Sequence, residues 1–415
     1  MKKISLLCTL FVLMMFGNTF AGGFQINEHG ARAMAMGGAF TAMVNDPSSL
    51  YFNVAGMAGL RGWNATVGTT LIAPAASFRG PSPSIAETEM EKQLFPPSHL
   101  YLTYEISDGL VAGLSVNNPF GLGTRWSEDW VGRFSSIEAD LQTFSFQPSI
   151  AYKVMDNLSV GVGLLYNLAH VKLDRAIGFA PFQGEGTILL EGSESGAFGY
   201  HLGVAYQPFS ALSLGLSYKS EVEYAFEGTA TTTGVPAALT GRVPEGDIEA
   251  TFVSPQQFVF GLGYQVTKDL LITADYQFVG WSSYDSLKVD FKNAAYTDLA
   301  SARLYEDTYI LRFGAEYAYN QTLDLRCGFL IDNNPVPDEM VDPSLPDSDR
   351  LGFSFGFGYQ LTNTLSLDAS YLYLRFAERT ITNSDVNYAS SGFAPLNGTY
   401  NSTGNLFSVT FNYSF

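Results

Sequence analysis

Apolar and polar residues alternate with a period of two along most of the chain. The clearest run is the C-terminal end, where Phe407, Val409, Phe411, Tyr413 and Phe415 alternate with Ser, Thr and Asn. The pattern recurs at 144–152, 158–166, 212–218, 270–278 and 351–359. Because successive side chains of a strand point to opposite faces, each run predicts a β-strand with one apolar and one polar face.

Charged residues inside these runs follow the polar face, as Lys153, Asp275, Arg312, Asp324 and Arg326 do. A Lys or Arg that faced lipid near the bilayer midplane would cost about 2–4 kcal/mol. Strands of a β-sandwich also alternate, but the phase of the charges favours a barrel wall between lipid and a polar lumen. The terminal Phe415 is similar to the signal that the outer-membrane barrel-assembly machinery recognises.

Turn signals fall into two length classes. Tight turns are predicted at 107–109, 155–157, 208–210, 267–269, 319–321 and 362–364. Longer polar connections are predicted at about 74–97, 119–142, 173–195, 223–249, 280–304, 332–349 and 377–403. Bacterial outer-membrane barrels combine short periplasmic turns, long outer loops and an even strand number. We therefore predict an all-β fold, an antiparallel transmembrane barrel of fourteen strands over residues 61–415.

The N-terminus has the pattern of an export signal. Lys2 and Lys3 precede an apolar run over 4–16, and Thr19-Phe20-Ala21 follows it. We predict a signal peptide over residues 1–21, cleaved after Ala21. The alternative, a membrane anchor, would have to cross about 30 Å of hydrocarbon, and this run is too short.

Composition supports a barrel in the outer membrane of a Gram-negative bacterium. The chain has 32 Phe and 23 Tyr, and only 15% of its residues are charged, against about 25% in a soluble domain. After cleavage Cys327 is the one cysteine left, so no internal disulfide can form. We expect a monomer in contact with outer-membrane lipid and lipopolysaccharide.

The sequence gives little support for nucleic-acid binding or for an enzyme. A net charge of −18 argues against nucleic acid, which needs a basic face. The histidines show no metal-ligand spacing, and no phosphate-binding loop is present, so we expect no enzyme, metal or cofactor. Six acidic residues in 332–349 leave calcium binding open, although a solvated outer loop is the better explanation. A role as adhesin or phage receptor also stays open.

Residues 22–60 break the alternation. They are rich in Ala, Gly and Met, with a helical pattern over 31–44. So short a segment cannot bury a core of its own, and it is too apolar to hang in the periplasm. Since a fourteen-stranded barrel has a lumen too wide for its own side chains to fill, we predict that residues 22–60 plug the lumen.

The chain resembles the FadL family, outer-membrane transporters of long-chain fatty acids and other hydrophobic compounds. The resemblance rests on five segments spread over the mature chain, namely 23–28 (GFQINE), 117–122 (NNPFGL), 218–222 (YKSEV), 332–337 (DNNPVP) and 345–350 (LPDSDR). It implies a barrel with an N-terminal hatch and a kink in the third strand that opens the wall sideways.

The resemblance also implies the sites of gating. The kink would lie at Asn118, Pro119 and Gly121, where a proline cannot donate a ladder hydrogen bond. The gating residues of the hatch would be Phe24 together with Asn53, Val54 and Ala55. The family's hatch carries Asn-Pro-Ala where this chain has Asn53-Val54-Ala55, which puts the local hatch conformation in doubt.

The candidate ligand contacts are apolar side chains of one outer loop and two arginines. The arginines would bind the carboxylate head group of a fatty acid. The apolar candidates are Phe120, Leu122, Trp126, Trp130 and Phe134, and packing within the loop is an equally good explanation for them. Arg175 is similar to a basic contact of the family, and Arg312 faces the lumen by its phase; either could instead pair with an acid. Where some members have a second base, this chain has Glu306.

We expect passive uptake of a hydrophobic small molecule, foremost a long-chain fatty acid. The ligand would bind in the outer loops, enter the lumen above the hatch and leave sideways through the wall. Burial of each CH₂ group is worth about 0.8 kcal/mol, enough to drive capture. Uptake of neutral or aromatic hydrocarbons, which Glu306 would favour, and a general porin are the alternatives.

Overall fold

The structure is a computed structural model that describes residues 22–44, 46–179, 184–386 and 395–415. The predicted signal peptide, with its cleavage after Ala21, lies outside the described residues. Within the described ranges, no helix is both long and apolar enough to cross a bilayer.

The chain folds into one closed antiparallel sheet. Its strands are β1 (Trp63–Arg79), β2 (Glu87–Glu89), β3 (Ser98–Ser107), β4 (Leu110–Asn117), β5 (Gly121–Arg125), β6 (Glu138–Met155), β7 (Leu158–Gly178), β8 (Glu185–Phe209), β9 (Leu212–Lys219), β10 (Val222–Thr233), β11 (Gly246–Ser254), β12 (Gln257–Thr267), β13 (Leu270–Val279), β14 (Ser286–Phe291), β15 (Leu299–Ala302), β16 (Thr308–Ala318), β17 (Leu323–Asp332), β18 (Arg350–Gln360), β19 (Leu365–Phe376), β20 (Arg379–Ile381) and β21 (Gly398–Ser414). The remaining elements are helices α1 (Ala31–Ala35) and α2 (Ser49–Phe52) and 3₁₀ helices at Val54–Gly59, Ala237–Leu239, Trp281–Ser283 and Asp338–Met340.

Fourteen of the described strands cross the membrane, in agreement with the prediction. In order around the barrel they are β1, β3, β4, β6, β7, β8, β9, β12, β13, β16, β17, β18, β19 and β21. The barrel closes where β21 pairs with β1, from Asn64 opposite Ser414 to Arg79 opposite Thr399. Closure gives the backbone N–H and C=O groups of every crossing a hydrogen-bond partner. Such pairing is required because the hydrocarbon core of the bilayer contains no water.

The predicted tight turns all join successive crossings at one end of the barrel. The predicted bounds of several long connections at the other end are wrong, because strands continue through them. β7 runs to Gly178, β8 starts at Glu185, and β10 and β11 fill most of 222–254. These extensions carry apolar inner faces: Ile188, Leu190 and Ile248 pack together. Burial of that face keeps the strands paired beyond the membrane.

The two faces of the wall alternate as predicted. Phe407, Val409 and Phe411 are exposed on the outside, while Ser408 and Thr410 are buried inside. The charged Asp275, Arg312 and Arg326 are buried on the lumenal face. An apolar outer surface with a polar inner one is the arrangement that lipid demands of a barrel.

The segment 22–60 packs against residues on the inner face of the wall, and its helical part is shorter than the predicted 31–44. α1 ends at Ala35 because Gly37 and Gly38 follow with positive φ values of 65° and 78°, which glycine adopts at little cost. At Gly37 a Cβ atom would lie 3.0 Å from backbone atoms of Phe313 and Phe329 of the wall, closer than most Cβ contacts in proteins.

Glycines on the lumenal face of the wall make space for this segment. At each of them a methyl group would meet residues 35–55 at less than 3.0 Å: Gly161, Gly203, Gly215, Gly261, Gly314, Gly328 and Gly356. A methyl group on Gly328 would lie 2.0 Å from the backbone nitrogen of Gly37. Backbone therefore packs directly on backbone, and little space is left between the segment and this part of the wall.

An ion-pair network holds the segment at the turn-bearing end of the barrel. Arg32 of α1 contacts Glu316 through two hydrogen bonds of 2.8 Å and Asp46 at 2.8 Å. Glu316 also accepts from Arg326 at 2.6 Å, and Arg326 contacts Asp368 at 2.5 Å. Partly buried bidentate pairs of this kind fix orientation as well as charge.

We predict that Gly328→Ala loosens the plug and raises ion conductance. The added methyl group must displace Gly37, and overpacking of this kind costs about 1–3 kcal/mol. Single-channel recording in planar bilayers would show more frequent open events than in wild type. Gly263→Ala is the matched control, since its nearest neighbours would lie 3.8 Å away. Equal conductance of Gly328→Ala and wild type would contradict the tight fit.

Candidate functional site

The third crossing is interrupted at residues 118–120. β4 ends at Asn117 and β5 begins at Gly121. Among the described strands, β5 pairs with β6 alone, whereas β4 pairs with both β3 and β6. The wall therefore lacks ladder hydrogen bonds between β5 and the second crossing, which begins only at Ser98.

The N-terminal segment supplies hydrogen bonds at this interruption. Ile26 N donates to Pro119 O at 3.0 Å, and Gly121 N donates to Phe24 O at 3.1 Å. Asn118 closes the lower edge of the opening, because its Oδ1 accepts from Ser98 N at 3.0 Å and its Nδ2 donates to Thr143 O at 2.7 Å. The predicted kink residues thus lie at a gap in the wall that residues 24–26 line from the inside.

A cavity of about 430 Å³, here called the inner cavity, lies beside this gap. Apolar side chains and backbone dominate its lining, with Ile72, Phe95, Leu330 and Leu406 among them. Phe144, whose ring is exposed on the lipid side, also lines it. One side of the inner cavity is therefore formed by a side chain that is also exposed on the outer face of the wall.

Two further cavities, of about 110 and 140 Å³, lie among the outer extensions of the strands and form what we call the outer groove. They share Leu173, Leu190 and Val289. The first also shares Leu122, Leu141 and Leu345 with the inner cavity. An almost continuous apolar path thus joins the outer loops to the gap in the wall.

Phe24 separates the outer groove from the inner cavity and lines both. Its ring centroid lies 4.9 Å from Trp281, 5.3 Å from Phe252 and 6.1 Å from Phe120. These rings come from three separate parts of the wall, and tilted or edge-to-face contacts of this kind stabilise one another. We call Phe24, Phe120, Phe252 and Trp281 the aromatic partition.

Polar contacts hold Phe24 in place from the other side. Gly23 N donates to Asp347 Oδ2 at 2.9 Å, and Arg350 Nη2 donates to Gly23 O at 3.0 Å. Burial raises the pKa of Asp347 to about 6. The residue that carries the partition ring is therefore anchored through its neighbour to the loop between β17 and β18.

The predicted bases lie in two places. Arg175 lines the outer groove, and Arg312 is buried in the lumen, where it lines the inner cavity and donates to Gln277 Oε1 at 2.5 Å. Glu306 lines none of the described cavities. Its negative charge therefore does not enter the apolar path.

Arg303, which the sequence did not single out, lines both parts of the outer groove. Its Nη1 lies 3.7 Å from Asp342 Oδ2, and its Nε makes no hydrogen bond within the described residues. Burial lowers the pKa of Arg303, but Tyr284 and Asp342 outweigh burial and hold the pKa above its ordinary value. A permanent cation with an unused donor thus lies along the groove.

The predicted aromatic contacts divide between the path and its support. Phe120 and Leu122 line the inner cavity, and Phe134 lines the outer groove. Trp126 and Trp130 line none of the described cavities; they stack at 4.4 Å and donate to the carbonyls of Pro343 and Ser136. Both are almost fully buried, so they hold the loop between β5 and β6 against the loop that follows β17.

The hatch motif contacts the wall far from the aromatic partition. Asn53 Nδ2 donates to Thr41 O and to Val204 O, and its Oδ1 accepts from Ala55 N. Val54 and Ala55 are buried against Gly161 and Gly203 of the wall. The structure thus gives the motif side-chain and backbone hydrogen bonds without the family's proline.

Acids of the loop 332–349 contact protein groups. Asp338 pairs with Arg379, Asp342 accepts from Ser135, and Asp347 accepts from Gly23. In the described parts of the chain, no group of three or more His, Cys, Asp or Glu side chains is arranged to bind a metal ion.

A plugged fourteen-stranded barrel with apolar cavities beside an interrupted strand defines an outer-membrane transporter for hydrophobic compounds. The family model described as outer membrane protein transport protein (OMPP1/FadL/TodX) matches residues 12–415, and the chain belongs to this family. It is 24% identical to a long-chain fatty acid transport protein of Escherichia coli O6:H1, over 97% of each chain.

Solved structures share the fold. A Pseudomonas aeruginosa FadL homologue superposes with a TM-score of 0.86 at 21% identity, covering 95% of this chain and all of that one. The Pseudomonas putida toluene transporter TodX gives 0.75 at 16% identity, with 93% and 98% covered. The family places the protein in the outer membrane of Gram-negative bacteria as a transport channel.

We predict that Trp126→Ala frees the loop between β5 and β6. The substitution removes a stacked ring and a hydrogen bond, a loss of about 3–5 kcal/mol for a buried Trp. Limited trypsin digestion at Arg133 should then become faster. Trp126→Phe, which keeps a ring, should give an intermediate rate, and Trp63→Ala, at an exposed position, should not change it. Unchanged cleavage of Trp126→Ala would refute the supporting role.

Proposed function

We propose that this protein takes up long-chain fatty acids by passive diffusion and releases them sideways into the outer membrane. The observation that carries the proposal is the apolar path from the outer loops to the gap in the wall. A molecule on this path stays out of water and leaves toward Phe144, where the cavity lining reaches the lipid side.

Burial of the alkyl chain drives capture. Each CH₂ removed from water contributes about 0.8 kcal/mol, so a long chain gains much more than a short one. The outer groove would take the chain first, against Leu173, Leu190 and Ile248. No energy source is required, because release into the membrane keeps the ligand in an apolar medium.

The carboxylate would bind Arg303 while the chain occupies the outer groove. Arg303 is partly buried and retains an unused Nε–H among the described residues, and hydrogen bonds between charged groups are about twice as strong as neutral ones. Arg175, which lines the wider part of the groove, would contribute a second positive charge at its mouth.

Passage to the inner cavity would require Phe24 to move. The segment before Gln25 is held by a few hydrogen bonds and by ring contacts, whereas residues 35–55 pack backbone to backbone on the wall. Displacement of residues 22–26 alone therefore costs far less than displacement of the whole plug. The same movement would free Pro119 O and Gly121 N and widen the gap.

A second candidate substrate class is the neutral aromatic hydrocarbons. The inner cavity is lined by four carboxylates, Glu28, Asp140, Asp332 and Asp347, and by two guanidinium groups, Arg312 and Arg350. Such a surplus of negative charge does not favour an anion. Similarity to the toluene transporter TodX is consistent with this candidate.

We expect Arg303→Gln to reduce uptake of radiolabelled oleate by about tenfold, the loss of one charge-assisted contact. The assay uses cells that lack their own transporters and carry this protein at equal surface levels. Arg303→Lys should retain most of the uptake, and toluene uptake should be the same in all variants. If wild-type cells take up toluene but no oleate, the second candidate replaces the first.

Deletion of residues 118–120 should abolish uptake of both compounds while leaving a folded barrel. The deletion would let β4 run directly into β5 and close the gap with ladder hydrogen bonds. Heat-modifiable migration on gels reports the intact barrel. Undiminished uptake by the deletion variant would disprove lateral release and favour a path through the lumen.

A further inference from the structure

A small polar cavity of about 20 Å³ lies between the plug and the wall, directly next to the inner cavity. The two cavities share Gln25, Asn27 and Arg312 in their linings. On its far side the small cavity is lined by Lys219, at the end of β9, and by Tyr51 of α2. Its volume suits one water molecule or the polar head of a larger ligand.

Lys219 faces this cavity without a carboxylate partner. Its Nζ lies 3.5 Å from the centroid of the Tyr51 ring. Among the described residues it makes no ion pair and no hydrogen bond, and the charged or chargeable groups that act on it or are acted on by it are Arg312, His29 and His201. None of these can neutralise an ammonium group.

Donor groups converge on the same cavity. Three glutamines line it, and they are bonded to one another: Gln25 Nε2 donates to Gln257 Oε1 at 3.0 Å, and Gln277 Nε2 lies 3.4 Å from the Oε1 atoms of Gln25 and Gln257. Arg312 donates from Nη1 to Gln277. Since a guanidinium has five N–H donors, Arg312 retains donors beyond this contact.

Lys219 is partly buried, and a partly buried cation without a counter-charge is costly unless an anion joins it or it loses its proton. A ring face contributes about 2 kcal/mol when desolvated, which covers only part of the cost. A second cation, Arg312, lines the same cavity and adds repulsion. Glu28, Asp275 and Asp332 act on Arg312 as counter-charges, so an anion in the cavity would supply the counter-charge that Lys219 lacks.

We propose that Lys219 and Arg312 form a binding site for a carboxylate beneath the aromatic partition, with the alkyl chain of the acid lying in the inner cavity. The proposal rests on the proposed uptake of fatty acids and adds a second head-group site to Arg303 in the outer groove. An acid that passes Phe24 would exchange one cation for another. Neutral hydrocarbons would cross the inner cavity without using the site.

The site also explains a segment of the chain that the transport path leaves unused. Lys219 belongs to 218–222 (YKSEV), one of the segments through which the chain resembles its family. A lumen-facing lysine at the end of β9 is not needed for barrel closure, because residues of either charge would fit the polar face. Recognition of a negative head group gives it a role.

The test compares Lys219→Met, which keeps the length of the side chain and removes its charge, with wild type. Binding of radiolabelled oleate to the purified full-length protein in a low-micelle detergent should weaken by at least about tenfold, the loss of one charge contact. Binding of oleyl alcohol should not change. Lys219→Arg should bind oleate nearly as wild type does, and Lys268→Met, at a 90% exposed lysine, serves as the matched control.

A small inorganic anion could occupy the same site, so bromide provides a second arm. Crystals of wild type soaked in bromide should give an anomalous peak beside Lys219 Nζ, absent in Lys219→Met, and bromide should compete with oleate. Equal oleate affinity of wild type and Lys219→Met would overturn the carboxylate site while leaving oleate transport intact. If wild type bound oleyl alcohol but no oleate, the fatty-acid function would fail, and with it the carboxylate site.

Discussion

The structure depends on one constraint: no backbone N–H or C=O can remain unpaired in hydrocarbon. Closure of β21 onto β1 satisfies it for the fourteen crossings of the described chain. Closure at this strand number leaves a wide lumen, so the N-terminal segment must fill it. The inward-facing glycines, such as Gly215 and Gly328, follow from that requirement because plug backbone lies directly on them.

The interrupted third crossing departs from the regular pairing of the wall, and residues of the N-terminal segment supply hydrogen bonds there from inside. Pro119 and Gly121 bond to residues 24–26 in place of the second crossing. The substitute partner is a short segment and not a strand of the wall. In the proposed function, its displacement would free these backbone groups and open the path for the ligand at the same residues.

Positively charged residues lie at both ends of the apolar path. Arg303 lies in the outer groove, the aromatic partition of Phe24, Phe120, Phe252 and Trp281 divides the path, and Lys219 and Arg312 lie on the far side. In the proposed function, the apolar lining would provide affinity for any hydrophobic molecule, and these cations would distinguish acids from hydrocarbons.

The sequence by itself determined the barrel and its strand number, and it led us to expect residues 22–60 in the lumen. Strand periodicity and tight turns are local signals, and the polar phase of Arg312 follows from them. Only the tertiary structure decided the site. Phe24, Phe252 and Trp281 come from separate parts of the chain, Arg303 lies in a loop without periodicity, and Trp126 packs inside its loop. Such contacts depend on register and closure around the barrel, which no local pattern encodes.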